Sequence, residues 1–338
     1  MPASNLDPQK VLQYSFGYAP PLIIEAAVRL NLFDALADGE KSSDDLAAAT
    51  GTNIRGVRIL LNGLVGLGLL THPRPGHYAL TPESAAFLVR GRPAYMGGFF
   101  HHTSEHLLPK WLRLTEIVRS GKPSAAVNAE GDGAAFFQKF VEDIFPLSRQ
   151  AALGLAEHLK LSEMKSPVSV LDLASGSGVW GVSLAEKGPT VRVTAVDWPG
   201  VIPVTRRVAE RHGLGSRFTY VAGDLSDADF GGNHSVATLG HILHSEGIER
   251  SRVLLKKTFA ALAPGGTIAI AEWLVNEDRS GPPPGLIFAV NMLVNTERGD
   301  TFSFAEIARW LTSAGFENPH MLEHLPCPSP LIFATKPG

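Results

Sequence analysis

The chain has a single cysteine, Cys327, in 338 residues. One cysteine cannot form an internal disulfide, and it excludes the cysteine clusters that bind zinc or iron–sulfur groups. No apolar run approaches the roughly 18 residues that a membrane span requires, and residues 1–10 lack the basic segment and apolar core of a secretory signal. We therefore expect a cytoplasmic protein with no membrane partner, and we assign Cys327 no role.

An excess of charge is also missing, because 30 Lys and Arg face 33 Asp and Glu and the net charge is −3. This balance provides no general attraction to nucleic acid or to an anionic membrane surface. The hydrophobic content of 44% is enough to build a core for each of two domains. We therefore expect a folded protein whose partner is a small molecule.

The stretch from Val168 to Gly181 joins a short β-branched run to a glycine-rich turn that opens a helical pattern. A parallel α/β sheet presents backbone N–H groups to a ligand in this way. Gly176, Gly178 and Gly181 fit the Gly-x-Gly-x-x-Gly spacing of a dinucleotide site, and Asp197 follows about 20 residues on. The stretch predicts a nucleotide-type cofactor site, and by itself it leaves NAD open.

The amino-terminal third predicts a helix, a turn, a second helix and two short strands over residues 42–80. This winged-helix order raises DNA binding as an alternative. Residues 1–100 hold eight basic and eight acidic residues, and the second helix carries only Arg55 and Arg58 as basic residues. DNA affinity depends on a basic face. We therefore favour a subunit interface for this apolar region.

The middle segment, residues 99–163, predicts further helices that connect the two halves and contribute to a pocket. His101, His102 and His106 raise the alternative of a metal site, since the last two lie one helical turn apart. Glu105 is not placed as in His-Glu-x-x-His, and no third ligand is evident. We interpret the three as ordinary polar or pocket-lining histidines and expect no metal.

After Pro167 the pattern alternates between strands and helices. This alternation predicts an α/β fold with a doubly wound parallel sheet, whose ligands bind at the carboxyl ends of the strands. The predicted strands are Val168 to Leu173, Val191 to Val196, Phe218 to Val221, Ser235 to Leu239, Thr267 to Ala271 and Leu331 to Ala334.

The acids at the strand ends decide between cofactors. Asp197 follows the second strand, where a carboxylate can accept both ribose hydroxyls, and Asp224 follows the third, where it can accept from an adenine amino group. With Asp172 inside the first strand and a Pro-Gly-Gly turn before the fifth, these acids resemble those of the class I S-adenosylmethionine-dependent methyltransferases. No second half-domain for a nicotinamide is visible, so we favour S-adenosylmethionine over NAD.

The resemblance extends over nearly the whole chain to the small-molecule O-methyltransferases typified by the caffeate, acetylserotonin and bacterial antibiotic O-methyltransferases. The motifs that carry it are Leu-Asp-Leu-Ala-Ser-Gly-Ser-Gly178, Val-Asp-Trp-Pro-Gly200, Ala-Gly-Asp-Leu225, Ile-Leu-His244, Ala-Pro-Gly-Gly266 and Ala-Glu-Trp273. The resemblance implies a Rossmann-like catalytic domain at 164–338, a helical connector at 99–163, and a winged-helix domain at 1–98 that forms an intertwined homodimer rather than reading DNA.

The resemblance also implies site residues. Ala174 and Gly176 would lie at the methionine part of S-adenosylmethionine, and Asp197 on its ribose. Asp224 and Leu225 would contact the adenine, with Trp198 as an extra wall. Gly181 would then be a packing glycine in the helix.

The general base implied by the resemblance is His244, flanked by the acids Glu272 and Asp300. Imidazole suits this task because it is largely unprotonated near pH 7 and can accept a phenolic proton. His241 is the alternative base. Other roles stay open, since His244 could cap the following helix and Asp300 could cap the helix that begins near Ser303.

Substrate walls are predicted from apolarity and placement. Phe140, Met292 and Asn295 are the chosen residues, within a wider set formed by Trp111, Phe136, Phe137, Phe145 and Phe288. Ordinary core positions are an equal alternative for each.

Three departures from the family pattern weaken any transfer of substrate identity. Ala174 replaces the first glycine of the usual Gly-x-Gly-x-Gly turn, which is tolerable if the position keeps an ordinary φ. Gly240 stands where plant members place a cofactor-contacting lysine, and Ser245 follows the base in place of an acid. Three alternative functions stay open. The first is C-methylation, decarboxylation, hydroxylation or a pericyclic reaction, as catalysed by relatives on this scaffold; the others are a cofactor-sensing module and a DNA-binding regulator.

Overall fold

The computed structural model describes residues 6–127, 132–322 and 329–338, so Cys327 lies outside the described residues. The chain divides into two compact units, Met1–Pro109 and Lys110–Gly338. The boundary falls inside the connector expected at residues 99–163. Within the part of the chain that the structure describes, none of the helices has the length and apolar character that crossing a membrane requires.

The first unit is mostly helical. Its helices are α1 (Gln9–Leu12), α2 (Ala19–Arg29), α3 (Leu32–Ala35), α4 (Ser43–Thr50), α5 (Ile54–Gly66), α6 (Pro82–Phe87) and α7 (Gly98–His102), followed by a π-helical turn at Thr103–Leu107. Its strands are β1 (Lys41–Ser42), β2 (Leu70–Thr71) and β3 (His77–Leu80), which form an antiparallel sheet in the order β1-β3-β2. The predicted order of helices and strands over residues 42–80 is therefore confirmed.

Local signals in the sequence account for the ends of α4. The Ser42 hydroxyl accepts from the backbone N–H of Asp45 while the Asp45 carboxylate accepts from the backbone N–H of Ser42, a reciprocal capping box. Gly51 ends the helix at φ 63°, a left-handed conformation that glycine adopts without strain. The helix then buries Leu46 in the core of the first unit.

The second unit is an α/β domain. Its helices are α8 (Leu108–Trp111), which begins in the first unit, α9 (Leu114–Ser120), α10 (Asp132–Phe140), α11 (Phe145–His158), α12 (Val179–Lys187), α13 (Ile202–Arg211), α14 (Leu243–Ala261, interrupted at Gly247), α15 (Pro283–Asn295) and α16 (Phe304–Ala314). Its strands are β4 (Val168–Leu173), β5 (Val191–Asp197), β6 (Phe218–Ala222), β7 (His234–Gly240), β8 (Leu262–Ala271), β9 (Glu317–Leu322) and β10 (Leu331–Thr335).

The seven strands form one sheet in the order β6-β5-β4-β7-β8-β10-β9. The first five are parallel, as predicted, but β10 runs antiparallel to both β8 and β9, so a wholly parallel sheet was the wrong expectation. Only residues 323–330 separate β9 from β10, fewer than the dozen or so that a parallel crossover needs. Strand β9 was not predicted from the sequence. Most of its side chains are exposed, and polar and apolar residues do not alternate along it.

Both faces of the sheet are covered. Val168 and Val170 enter one hydrophobic cluster with helices α11 to α13, whereas Leu171 and Leu173 enter another with α14 and α16. Alternate residues separate in this way because successive side chains of a strand point to opposite faces. With both faces covered, the carboxyl ends of the parallel strands are the expected place for a ligand.

Candidate active site

The glycine-rich turn links the end of β4 to the start of α12. Ala174, Gly176 and Gly178 all have positive φ angles, of 51°, 54° and 75°. The condition of an ordinary φ at Ala174 is therefore not met, and the left-handed backbone costs an alanine about 1–2 kcal/mol. The turn therefore keeps the curvature of a glycine-rich loop despite the missing glycine.

Asp172 ties this turn to the sheet. Its carboxylate accepts from the Gly181 backbone N–H at 3.0 Å and from the Thr238 hydroxyl at 2.7 Å. Burial raises the pKa of Asp172 to about 7, and the two hydrogen bonds oppose that rise. A Cβ at Gly181 would lie 2.8 Å from Val193 Cγ1 and 3.0 Å from Asp172 Oδ2. Gly181 therefore lets the first turn of α12 approach the strands.

Asp197 ends β5 beside the turn. Its Oδ2 accepts from the Gly176 backbone N–H at 2.7 Å, and its Oδ1 accepts from the Trp198 backbone N–H at the same distance. Burial raises the pKa of Asp197 to about 6, against the effect of both hydrogen bonds. The carboxylate is therefore held in one orientation at the strand ends.

Asp224 follows β6 and is joined to Asp197 through Trp198. Its Oδ2 accepts from the Trp198 indole N–H at 3.2 Å, and its Oδ1 accepts from Ser226 and from the Arg250 guanidinium at 2.9 Å. Burial works to raise the pKa of Asp224, but the hydrogen bonds from these three residues outweigh it and hold that pKa well below its usual range. Leu225, the next residue, is buried.

His244 lies in the first turn of α14 and faces Glu272, the residue after β8. The imidazole Nδ1 is 2.7 Å from Glu272 Oε2, and the backbone N–H of His244 donates to Oε1 at 3.3 Å. Burial works to raise the pKa of Glu272, but His244 facing it brings that pKa below its ordinary value, so the carboxylate is ionised. The N-cap of α14 is Ile242, and no side chain caps it, so His244 is not a helix cap.

His241 lies close to this pair in a different environment. It has a φ of 62°, and its Nε2 is 2.5 Å from the Ser329 hydroxyl oxygen. Burial lowers the pKa of His241 to about 4. Its imidazole is therefore a weaker base at neutral pH than an ordinary histidine.

Asp300 reaches His244 through its backbone. Its N–H donates to the His244 carbonyl at 2.9 Å, while its exposed carboxylate accepts from the Thr301 backbone N–H. No hydrogen bond joins that carboxylate to the imidazole within the described ranges. Ser303 caps α16, so Asp300 does not serve as the cap.

Aromatic rings pack against the histidine. The ring of Phe288 on α15 meets His244 edge-on with centroids 4.9 Å apart, and Trp273 lies 5.3 Å from Phe288. Met292 is buried one turn further along α15. These side chains form an apolar wall beside the imidazole.

Asn295 belongs to a polar cluster that the sequence did not reveal. Its Oδ1 accepts from the Lys110 ammonium at 3.0 Å, and its amide nitrogen donates to Asn291, which also accepts from the Trp111 indole N–H at 3.2 Å. Burial lowers the pKa of Lys110. No periodic pattern could have indicated this contact, because Lys110 and Asn295 are 185 residues apart in the chain.

The phenylalanines of α10 form a series of neighbouring rings that extends to Trp198. Phe140 lies 5.6 Å from Phe136, which is 5.0 Å from Phe137, and Phe137 is 6.0 Å from Trp198. Phe145 instead stacks on His212. The structure thus places Phe140 with the rings near Trp198.

The histidines of the first unit make other contacts. His101 Nδ1 is 3.2 Å from a carboxylate oxygen of Glu25, and the rings of His102 and His106 are 5.4 Å apart. Across residues 6–127, 132–322 and 329–338, no group of three or more His, Cys, Asp or Glu is placed to hold a metal ion.

Comparison with known proteins identifies the family. A model of the O-methyltransferase domain matches residues 111–317, and a model of the O-methyltransferase dimerisation domain matches residues 12–90. The chain belongs to the O-methyltransferase family. It is an enzyme that uses S-adenosylmethionine as its cofactor.

Three members of this O-methyltransferase family illustrate the similarity. The 3-hydroxy-5-methyl-1-naphthoate 3-O-methyltransferase of Streptomyces sahachiroi is 33% identical over 297 residues, which cover 86% of this chain and 84% of the relative. The tetracenomycin polyketide synthesis 8-O-methyl transferase TcmO of Streptomyces glaucescens is 29% identical and covers 91% of both chains. The solved structure of PigF from Serratia sp. with SAH has a TM-score of 0.81 at 26% identity, covering 98% of this chain and 100% of PigF.

The residues at the strand ends fit the cofactor of this O-methyltransferase. The adenosine part of S-adenosylmethionine offers ribose hydroxyls and an adenine amino group as donors, and Asp197 and Asp224 supply carboxylate acceptors on neighbouring strands. The methionine part is short and needs close approach, which the backbone of the turn at residues 174–178 permits. The acceptor set therefore matches the chemistry of the cofactor.

Proposed function

We propose that this enzyme transfers the methyl group of S-adenosylmethionine to a hydroxyl of an aromatic or polyketide-like small molecule, with His244 as the general base. The observation that carries the proposal is the 2.7 Å contact between His244 Nδ1 and Glu272 Oε2 at the end of β8. A histidine paired in this way to an ionised acid has the arrangement expected of a general base.

Glu272 determines which imidazole nitrogen accepts the proton. Its carboxylate accepts from Nδ1–H, so that tautomer leaves the Nε2 lone pair to take a proton from the substrate hydroxyl. Once His244 becomes an imidazolium, the adjacent Glu272 anion stabilises the positive charge. His244 and Glu272 are both buried, which strengthens this interaction.

Cofactor binding follows the strand ends. When bound, S-adenosylmethionine supplies an electrophilic methyl group on a sulfonium. Ala174 and Gly176 would hold its methionine part, and Asp197 would accept from the ribose hydroxyls. Asp224, Leu225 and Trp198 would contact the adenine.

The acceptor lies against α10 and α15. Phe140, Met292 and Asn295 line its site, with Phe288 beside the base. Two relatives support this substrate class, because one acts on a hydroxynaphthoate and the other in polyketide synthesis. Glu272 is the acid that acts on the imidazole, and Asp300 keeps the role of supporting the base through the backbone of His244.

The enzyme assembles as a homodimer through residues 1–98, with residues 99–163 as the connector and 164–338 as the catalytic domain. The match to a dimerisation domain at residues 12–90 supports this. Large apolar side chains near the amino terminus that are more than half exposed also support it: Leu6, Val11, Leu12, Tyr14, Phe16 and Tyr18. Sedimentation equilibrium should give twice the mass of the chain, and a monomer at micromolar concentration would contradict the assembly.

The function is tested by product analysis. Purified enzyme is incubated with S-adenosylmethionine and a panel of hydroxylated aromatic acceptors, and mass spectrometry should find the gain of one methyl group on oxygen. His244→Ala should lower the rate of product formation by about 10²- to 10⁴-fold while still binding S-adenosylhomocysteine. His320→Ala, on the exposed strand β9, is the matched control. A product with a new C–methyl bond, or one without added methyl, would point to other chemistry on this scaffold.

A further inference from the structure

Trp180 lies in the first turn of α12, two residues after Gly178, and its side chain is 96% buried, with 4% relative exposure. Its indole stands over Gly240, the last residue of β7. A Cβ at Gly240 would lie 2.0 Å from Trp180 Nε1 and 2.6 Å from Cδ1. No side chain can therefore occupy position 240 while the indole holds this place.

The indole N–H of Trp180 takes part in none of the hydrogen bonds found within the described ranges. The indole nitrogen of Trp180 is also absent from the fully buried polar atoms that lack a hydrogen-bond partner. It is therefore accessible to solvent, although most of the side chain is buried. A buried indole N–H normally finds an acceptor. This donor is therefore available for a hydrogen bond to a ligand.

The strand order places this donor between two parts of the site. The acids of the proposed adenosine site follow β5 and β6, and the proposed proton acceptor follows β7. Trp180 and Gly240 lie between them, at the carboxyl ends of β4 and β7. The part of the cofactor expected there is its amino-acid part, and this orientation rests on the proposed function.

The amino-acid part carries a carboxylate, which needs hydrogen-bond donors. Several amides of the turn already donate within the protein: Ser175 N–H to the Val196 carbonyl, Gly176 N–H to Asp197, and Gly178 N–H to the Ser175 carbonyl. These amides are committed to holding the turn. The donor therefore has to come from outside this set.

We propose that the indole N–H of Trp180 donates a hydrogen bond to the α-carboxylate of the bound cofactor, from the space that a side chain at position 240 would otherwise fill. Trp180 is thus a cofactor-positioning residue, and Gly240 is required as its steric partner.

The test measures binding by isothermal titration calorimetry, without turnover. S-adenosylhomocysteine carries the amino-acid part, and 5′-methylthioadenosine keeps the adenosine and the sulfur but lacks it. Trp180→Phe keeps a ring and removes the N–H, so it should weaken S-adenosylhomocysteine about 10- to 100-fold, as expected for one hydrogen bond to a charged group. Binding of 5′-methylthioadenosine should stay within about twofold, well below the effect of one such hydrogen bond.

Trp310→Phe, at a buried tryptophan of α16, is the matched control and should change neither affinity. Equal weakening of both ligands by Trp180→Phe, or an unchanged affinity for S-adenosylhomocysteine, would overturn the proposal. No step of the binding measurement depends on methyl transfer. The affinities can therefore be interpreted even if the proposed reaction is wrong.

A second pair of variants tests the shared space and covers the case in which Trp180→Phe does not fold. Gly240→Lys alone should lose S-adenosylhomocysteine binding, because its Cβ would overlap the indole. Gly240→Lys combined with Trp180→Leu returns a hydrogen-bond donor to the same space. This double variant should recover the affinity for S-adenosylhomocysteine to within about tenfold of the unmodified enzyme, the scale of one such hydrogen bond. A double variant that binds 5′-methylthioadenosine but does not recover S-adenosylhomocysteine would contradict the inference.

Discussion

The proposed cofactor side, around Asp197 and Asp224, and the proposed acceptor side, around Asn295, are built from contacts of different range. On the cofactor side, Asp197 meets Gly176 across 21 residues and Trp198 meets Asp224 across 26. On the acceptor side, Lys110 meets Asn295 across 185 residues. The contacts of the two acids on the proposed cofactor side thus join neighbouring strand–helix units, whereas the proposed acceptor side needs segments from distant parts of the chain.

The proposed assignment implies that the acceptor site can change while the cofactor site is kept. Asp197 is held by two backbone N–H groups, and Asp224 is held by Ser226, Trp198 and Arg250, which all lie within 26 residues of it in the chain. The acceptor wall combines α10 and α15 with residues near the start of the second unit. Substitutions in those helices can change the wall without disturbing the strand ends.

The largest expected effect is on the acceptor side. His244→Ala removes the proposed base and should lower kcat by about 10²- to 10⁴-fold, the range of general-base catalysis. Because the histidine does not belong to the cofactor side, the Kd of S-adenosylhomocysteine should stay unchanged. Steady-state kinetics and calorimetry measure the two quantities. An equal loss in His241→Ala and little loss in His244→Ala would assign the base to His241.

Glu272→Gln should have the next largest effect. The amide cannot stabilise an imidazolium by charge, and the loss of one hydrogen bond to a charged group corresponds to about a 10- to 100-fold decrease in kcat. Asp300→Asn is the comparison, since its backbone contact with His244 is retained, and it should change kcat by less than about threefold, below the loss expected for one such hydrogen bond. A larger loss in Asp300→Asn than in Glu272→Gln would reverse the assignment.

A smaller effect is expected on the cofactor side, where Asp197 should make binding sensitive to pH. Burial raises the pKa of Asp197 to about 6, so lowering the pH from 7 to 5 protonates it and removes a charged acceptor. The affinity for S-adenosylhomocysteine should fall by about tenfold over this interval, the scale of one hydrogen bond to a charged group. Asp197→Asn should bind weakly at both pH values and show a flat profile. If that variant kept the full pH dependence, another group would be responsible.

The smallest effect concerns the turn itself. Ala174→Gly relieves a left-handed alanine and should raise the free energy of unfolding by about 1 kcal/mol. Ala185→Gly, in the interior of α12, is the matched control and should lower it by at least about 0.5 kcal/mol. Urea unfolding of both variants gives the comparison. A loss of stability in Ala174→Gly would show that other contacts relieve the strain of the turn.

Much of the catalytic unit was predictable from the sequence, because its signals are local. Short apolar runs between helical segments indicated the six predicted strands. The glycine-rich turn after Asp172 indicated the edge of the sheet at which a ligand is expected. The position of His244 after β7 followed from the same order of elements. Such signals survive in a single sequence because hydrophobic period and turn chemistry act over a few residues.

Only the tertiary structure decided the remaining features. The direction of β10, the positive φ of Ala174 and the backbone role of Asp300 depend on which segments meet. The hydrogen bond from Lys110 to Asn295 depends on the tertiary structure in the same way. The amino-acid sequence determined a parallel α/β unit with acids at its strand ends, and the packing of distant segments determined which side chains face one another there, since side-chain contacts depend on position in space rather than on spacing along the chain.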